Sequence, residues 1–251
     1  MDLVSEYIEK AFRTLQKLRG NEEIREDKIE EIEKYIGHAV RLTEQIRRRV
    51  LCGEKIPHDE KIFSVFEEHT EWIVKGKAGV GQELGVRVCI VQDQNGFILH
   101  HMVMEKVTDE KITVKIVKET QERFPDFRIC SFDKGFYTPD NRRELSELLD
   151  LSILPKKGRL SEDDKKIEFS EDFVELKKKH PAVESGIAAL ENHSLDRCPD
   201  HGIDGFKRYT AMAVLARNIQ ILGHIIQQKE LKREKRQERY RRTWHENRAA
   251  A

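Results

Sequence analysis

Apolar residues in the first fifth of the chain recur at helical spacing. Val4, Ile8, Phe12, Leu15 and Leu18 step by three or four, which places them on one stripe of a helix over residues 2–19. Gly20-Asn21 stops that helix. Beyond it Ile29, Ile32, Ile36, Ala39, Thr43, Ile46 and Val50 step 3-4-3-4-3-4, a seam suited to helix–helix packing with one polar fault at Thr43. Together the two stripes predict an antiparallel helical hairpin over residues 2–51, ending near Leu51-Cys52-Gly53.

From Pro57 the period changes, and β-branched and aromatic residues alternate with glycines and short turns. Leu84 to Val91 reads as a strand, Asp93-Gln94-Asn95-Gly96 as a tight turn, and Phe97 to Met104 as the return strand of a hairpin. A helix fits Glu110 to Phe124 and is closed by Pro125. Phe127 to Phe132 reads as a short buried strand ending at Asp133, followed by a helix near Asp140 to Leu149 and a strand from Leu151 to Leu154. Hairpin, helix, strand, helix, strand is a mixed α/β order and points to one sheet flanked by helices. Residues 156–175 are strongly charged and predict a surface loop or linker. Two helices close the chain, one near Ala182 to Asn192 and one from Gly205 to about Gln228. The last carries an apolar face of Phe206, Tyr209, Met212, Leu215, Ile219, Leu222 and Ile226. After it, residues 229–248 hold nine Lys/Arg against four Glu. The expected division is therefore a helical hairpin at 1–53, an α/β domain at 54–228 and a basic tail at 229–251.

Length and composition narrow the function. The 251 residues suffice for one sizeable core with a helical appendage. With 46 basic and 46 acidic side chains, any nucleic-acid contact must come from local basic patches. Cys52, Cys89, Cys130 and Cys198 form no C-x-x-C pair, which argues against a zinc module or a secreted disulfide framework and for a reducing, cytoplasmic setting. The N-terminus lacks signal-peptide character, and no apolar run is long enough for a membrane span, so no membrane partner is expected. The ten histidines show no ligand spacing, and G-x-S-x-G, P-loop and dinucleotide glycine patterns are absent from the sequence.

Two acids remain as candidates for chemistry. Asp133, in Ser131-Phe132-Asp133-Lys134-Gly135-Phe136-Tyr137, sits where a buried strand meets a glycine turn; the strand fixes such a carboxylate while leaving it able to face a cleft. By itself it reads equally as a turn cap. Glu184, in His180-Pro181-Ala182-Val183-Glu184-Ser185, falls in the first turn of a helix, where an acid also complements the helix dipole. Their order and context decide more than either alone. The run from Gly76 to Gly223 resembles insertion-sequence transposases of the DDE superfamily, in SFDKGFY (131–137), ILPKKG (153–158), AVES (182–185), LDRCPDHG (195–202) and ARNIQ (216–220).

That resemblance implies an RNase H-like mixed sheet with flanking helices, preceded by the antiparallel helical hairpin, and an activity of DNA cleavage and strand transfer. It makes Asp133 the second and Glu184 the third metal-binding acid, with two Mg²⁺ or Mn²⁺ ions between them. Where the family has an arginine four residues before this glutamate and a lysine seven after it, this chain has His180 and Glu191. The family's first catalytic aspartate and its strand find no counterpart upstream of Gly53, so the expectation is a chain that lacks the first strand and cleaves transposon ends poorly when alone. Asp93 and Asp109 are substitutes for that acid, against their plainer readings as a turn residue and a helix cap. The alternative is a non-catalytic remnant that binds DNA or oligomerises. Candidate phosphate contacts are Lys75, Lys77, Lys134, Lys156, Lys157, Arg159, Arg197, Lys207 and Arg208. The partners expected are transposon-end and target DNA and a second copy of the chain.

Overall fold

The two N-terminal stripes fold as helices α1 (Asp2–Arg19) and α2 (Glu26–Val50) in a computed structural model, which describes residues 2–21, 23–57, 59–74, 81–195 and 197–249. The chain divides into two compact units, Met1–Val86 with His201–Ile203, and Arg87–Asp200 with Asp204–Ala251.

In the first unit α1 packs on α2 through buried Leu15 and Ile36, and Arg19 pairs with Glu33. Glu26 and Asp27 open α2 and Arg47, Arg48 and Arg49 close it, so both ends complement the helix dipole. The following segment runs back along α2. The Gln45 amide clips it, donating to the Ile62 carbonyl at 3.1 Å and accepting from the Ile62 N–H at 2.8 Å. Arg48 bonds both Glu54 and Glu60, and Ile56 is buried. Strands β1 (Glu71–Val74) and β2 (Gln82–Gly85) then pair antiparallel, Glu71 opposite Gly85.

The second unit begins with β3 (Arg87–Gln92) and β4 (Ile98–Met104), the expected antiparallel hairpin, with Val91 opposite His100. Its turn is built by Asp93, whose Oδ1 accepts from the Asn95 and Phe97 N–H groups, both at 2.8 Å; Gly96 at φ 90° takes the conformation that side chains avoid. The predicted strand Leu84 to Val91 is split, because Gln82–Gly85 pairs with β1 instead. Helix α3 (Asp109–Arg123) buries Ile112, Thr113, Ile116, Val117 and Thr120. Strands β5 (Ile129–Ser131) and β6 (Leu151–Ile153) are parallel and joined by α4 (Pro139–Leu148). Thr138 caps α4 by accepting from the Asn141 N–H at 3.0 Å, with Pro139 at the first helical position. Val117, Phe132, Leu145, Leu149 and Leu154 form the core between these elements.

The fold is thus mixed α/β, but the described strands form three separate two-stranded ladders where the element order pointed to one sheet. The ladders are short and find their burial against helices: β4 lies on α3, and β3 meets α7 (Pro181–Leu190).

A second correction concerns residues 156–175, which hold helices α5 (Glu162–Glu168) and α6 (Glu171–Lys179) rather than a loop. Ser161 and Asp164 form a reciprocal capping box, and Phe173 anchors α6 in the interior. Lys156, Ser161 and Arg142 all bond the Asp164 carboxylate and hold it well below the usual carboxylate range. With one buried anchor per helix, Asp164 in α5 and Phe173 in α6, the charge density hid the helical period.

Residues Glu191–Leu195 form a π turn after α7, and α8 (Gly202–Ala249) ends the chain. Ile98, Leu190 and Val214 make a second small core. Asn218 of α8 brackets Ile98, accepting from its N–H at 2.8 Å and donating to its carbonyl at 2.9 Å, so a side-chain amide does there what a neighbouring strand would do. The last helix was expected to end near Gln228, yet α8 runs unbroken through the basic tail. Among the described residues no helix is long and apolar enough to cross a membrane.

Candidate active site

Asp133 lies two residues beyond the end of β5, which is shorter than the expected strand, and it caps the turn that follows, as its plainer reading had it. Phe132, buried in the core, donates its N–H to the Ile153 carbonyl at 2.9 Å, and the chain then turns through a 3-10 segment at Lys134–Phe136. The Asp133 carboxylate is exposed and accepts from the Lys134 N–H at 2.9 Å. The turn is fixed from below by Asn141, whose Nδ2 donates to the Phe136 and Glu110 carbonyls and to Thr113 Oγ1 at 2.7–3.0 Å. Thr113 Oγ1 donates in turn to the Phe136 carbonyl at 3.2 Å. A buried polar network of this kind is costly to leave half-made, and so defines one backbone path.

Beside the turn stands Asp109. It is the first residue of α3, with Thr108 at the cap position, so the reading of Asp109 as the cap is corrected by one residue. A Cβ added to Gly135 would lie 2.6 Å from Asp109 Oδ2, so a glycine is what lets the carboxylate sit against this turn. Burial raises the Asp109 pKa; Arg87 opposes the shift, Glu110 and Asp133 add to it, and Lys157 opposes it. Lys157 Nζ also donates to the Gly135 carbonyl at 3.0 Å. Asp133 and Asp109, with Arg87 and Lys157, therefore share one electrostatic neighbourhood. The sequence signal was Gly135, which marks a close approach without naming the residue that approaches.

Glu184 lies exposed in the first turn of α7. Two side-chain contacts hold that turn. Ser131 Oγ, two residues before Asp133, lies 3.0 Å from Nδ1 of His180, four residues before Glu184. Gln92 Nε2, at the end of β3, donates to the Ala182 carbonyl at 3.2 Å, and its amide oxygen fills the place a Cβ on Gly186 would need. The strand that leads to Asp133 and the helix that carries Glu184 are thus joined by one hydrogen bond. His180 stands where the resemblance called for an arginine, and its ring is used to tie α7 to β5.

The basic candidates divide sharply. Lys134 and Lys157 border the Asp133 turn, and Arg159 is exposed nearby in sequence. Lys156 is engaged with Asp164, Lys207 with Glu105 at 2.5 Å and Arg208 with Asp200 at 2.9 Å. Arg197 is exposed; Lys75 and Lys77 lie outside the described residues. Burial pushes the Cys89 and Cys130 thiols up to about 12, which removes both as thiolate nucleophiles. Among the described residues no group of three or more His, Cys, Asp or Glu is arranged to hold a metal ion.

Comparison with known proteins adds one match. The family model described as the transposase DDE domain matches residues 51–219, more than half of the chain and inclusive of Asp133 and Glu184. No curated protein and no solved structure matches. The extent of the family match decides the family: this chain belongs to the transposases with a DDE domain.

Proposed function

We propose that this chain performs the phosphodiester chemistry of DNA transposition, cleavage and strand transfer, with Asp133 and Glu184 as its acidic pair in an RNase H-like arrangement. The observation that carries the reading is the Ser131–His180 bond, which couples the strand leading to Asp133 to the start of the Glu184 helix. Family members generally use divalent metals. The donors here suit them: carboxylate oxygens are hard ligands of the kind Mg²⁺ and Mn²⁺ prefer. Bound there, such ions would activate a water or 3′-hydroxyl and stabilise the departing oxygen.

The chain's own residues supply the rest. Asn141 and Thr113 hold the turn after Asp133, and Lys134 and Lys157 meet phosphate oxygens beside it. Asp109, against Gly135, is the third acid to test. We place the helical hairpin at 1–53, the catalytic domain at 54–228 and the basic tail after it, with DNA and a second copy of the chain as partners. The test is nicking of a labelled duplex bearing transposon ends, in Mg²⁺ or Mn²⁺. Asp133→Ala and Glu184→Ala should reduce nicking to background while duplex binding persists, and Asp109→Asn should reduce it as well. Nicking that survives Asp133→Ala would overturn the assignment.

A further inference from the structure

The C-terminal part of α8 is exposed on every side. All of residues 226–241 are exposed, so no packing within the chain dictates which charge stands where. At 3.6 residues per turn each residue advances about 100° around the helix. Lys229, Lys232, Arg233, Lys235, Arg236 and Arg239 then fall within about 160° of the circumference. Glu230, Glu234 and Glu238 fall on the opposite side, centred about 180° away. Of the bases up to residue 241, Arg241 is the one that lies with the glutamates.

This segregation works against the isolated helix. Lys229–Arg233, Lys232–Arg236 and Lys235–Arg239 are like-charge neighbours at i, i+4, as are Glu230–Glu234 and Glu234–Glu238. Each such pair destabilises a helix by roughly 0.2–0.5 kcal/mol, whereas interleaving the same residues would turn many of them into favourable pairs. A line of negative charge along the basic face reverses the sign of the effect.

We infer that this face of α8 is a docking stripe for the sugar-phosphate backbone of duplex DNA, an inference that rests on the proposed reading that DNA is the substrate. From Lys229 to Arg239 the stripe is about 15 Å long at 1.5 Å per residue. Phosphates on one strand are about 3.4 Å apart along the duplex axis, so several face the stripe at once. The rear face argues against a lipid surface. A membrane-lying helix sets an apolar face against its basic one, and here the rear is glutamate. The contact positions the duplex and reads no sequence.

The experiment exchanges neighbours without changing composition. In the full chain, Arg233→Glu is combined with Glu234→Arg, and Glu238→Arg with Arg239→Glu. Net charge is unchanged, and circular dichroism checks that helix content is kept. Binding of a mixed-sequence duplex without transposon ends is measured over a range of salt. The exchanged chain should bind about tenfold or more weakly at low salt, and the slope of log K against log [salt] should shrink by about two, as two phosphate contacts are lost. Equal affinity and slope would overturn the stripe. So would charge-order-dependent binding to vesicles containing phosphatidylserine without the same dependence on duplex. Asp133→Ala should bind like the unaltered chain, so failure of the catalytic assignment leaves this comparison intact, and failure of the stripe leaves nicking intact.

Discussion

The two acids of the candidate site are held in different ways. Asp133 stands on a floor of buried matter: Phe132 in the core behind it, Asn141 and Thr113 beneath its turn, and Asp109 against Gly135 beside it. Glu184 stands in the first turn of a ten-residue helix whose other end packs through Leu190, and that turn is tied to β5 and β3 by one imidazole and one amide. The first arrangement fixes position through packing, which is cooperative and steeply lost. The second packs its helix at the far end through Leu190 and fixes the first turn by single hydrogen bonds, each worth about 0.5–1.5 kcal/mol, so the turn that carries Glu184 is the more adjustable of the two. Under the proposed function, a site that takes a bulky duplex gains from one firmly seated carboxylate and one that can follow the substrate.

The contrast breaks most visibly at Phe132. Phe132→Ala should lower stability by roughly 3–5 kcal/mol in urea denaturation, since it empties a buried aromatic site behind Asp133. A loss below about 1 kcal/mol would mean that the region relaxes freely and that the floor is no floor. His180→Ala should lower stability only by about 0.5–1.5 kcal/mol while reducing nicking more than that loss of stability accounts for. A stability loss on the Phe132 scale would instead make α7 part of the same cooperative core.

The smallest effect is read by pH. Lys156, Ser161 and Arg142 hold the Asp164 carboxyl below its ordinary value of 3.8, so between that value and its folded pKa the unfolded chain binds the extra proton. The network's stabilisation is therefore complete well above pH 3.8 and fades as pH falls below it. Asp164→Asn should be less stable than the unaltered chain at neutral pH, and the gap should narrow on acidification below 3.8. A gap that holds constant down to the acid limit would show that the anchor is packing and not charge.

Much of the architecture was legible because it is local. The 3-4 stripes of α1 and α2 are satisfied by their own spacing, the Asn95-Gly96 turn by its own chemistry, and β5 by a run too short for a helix. The misreadings share a different cause. α5 and α6 have one buried anchor each, Asp164 and Phe173, and a pattern sparse in apolar residues looks like a solvated loop until something binds the anchor. The division of Leu84 to Val91 between two ladders depends on which partner each half finds, and a strand's own sequence does not specify its partner.

For the site, the sequence pointed to Asp133 and Glu184 through its resemblance to the DDE transposases, since each position taken alone reads equally as a turn cap or a first-turn acid, and it determined that the tail is basic. Tertiary structure decided the rest. It drew Asp109 beside Gly135 across twenty-six positions, made His180 a tether, and withdrew Lys156, Lys207 and Arg208 into ion pairs. It also ran α8 unbroken through the tail, so that a count of charges became a face. The physical reason is range: helical period and turn chemistry act over a few residues and are written in order along the chain. Electrostatic neighbourhoods and hydrogen-bond tethers act through space, and exist only once folding has set distant residues within a few ångströms.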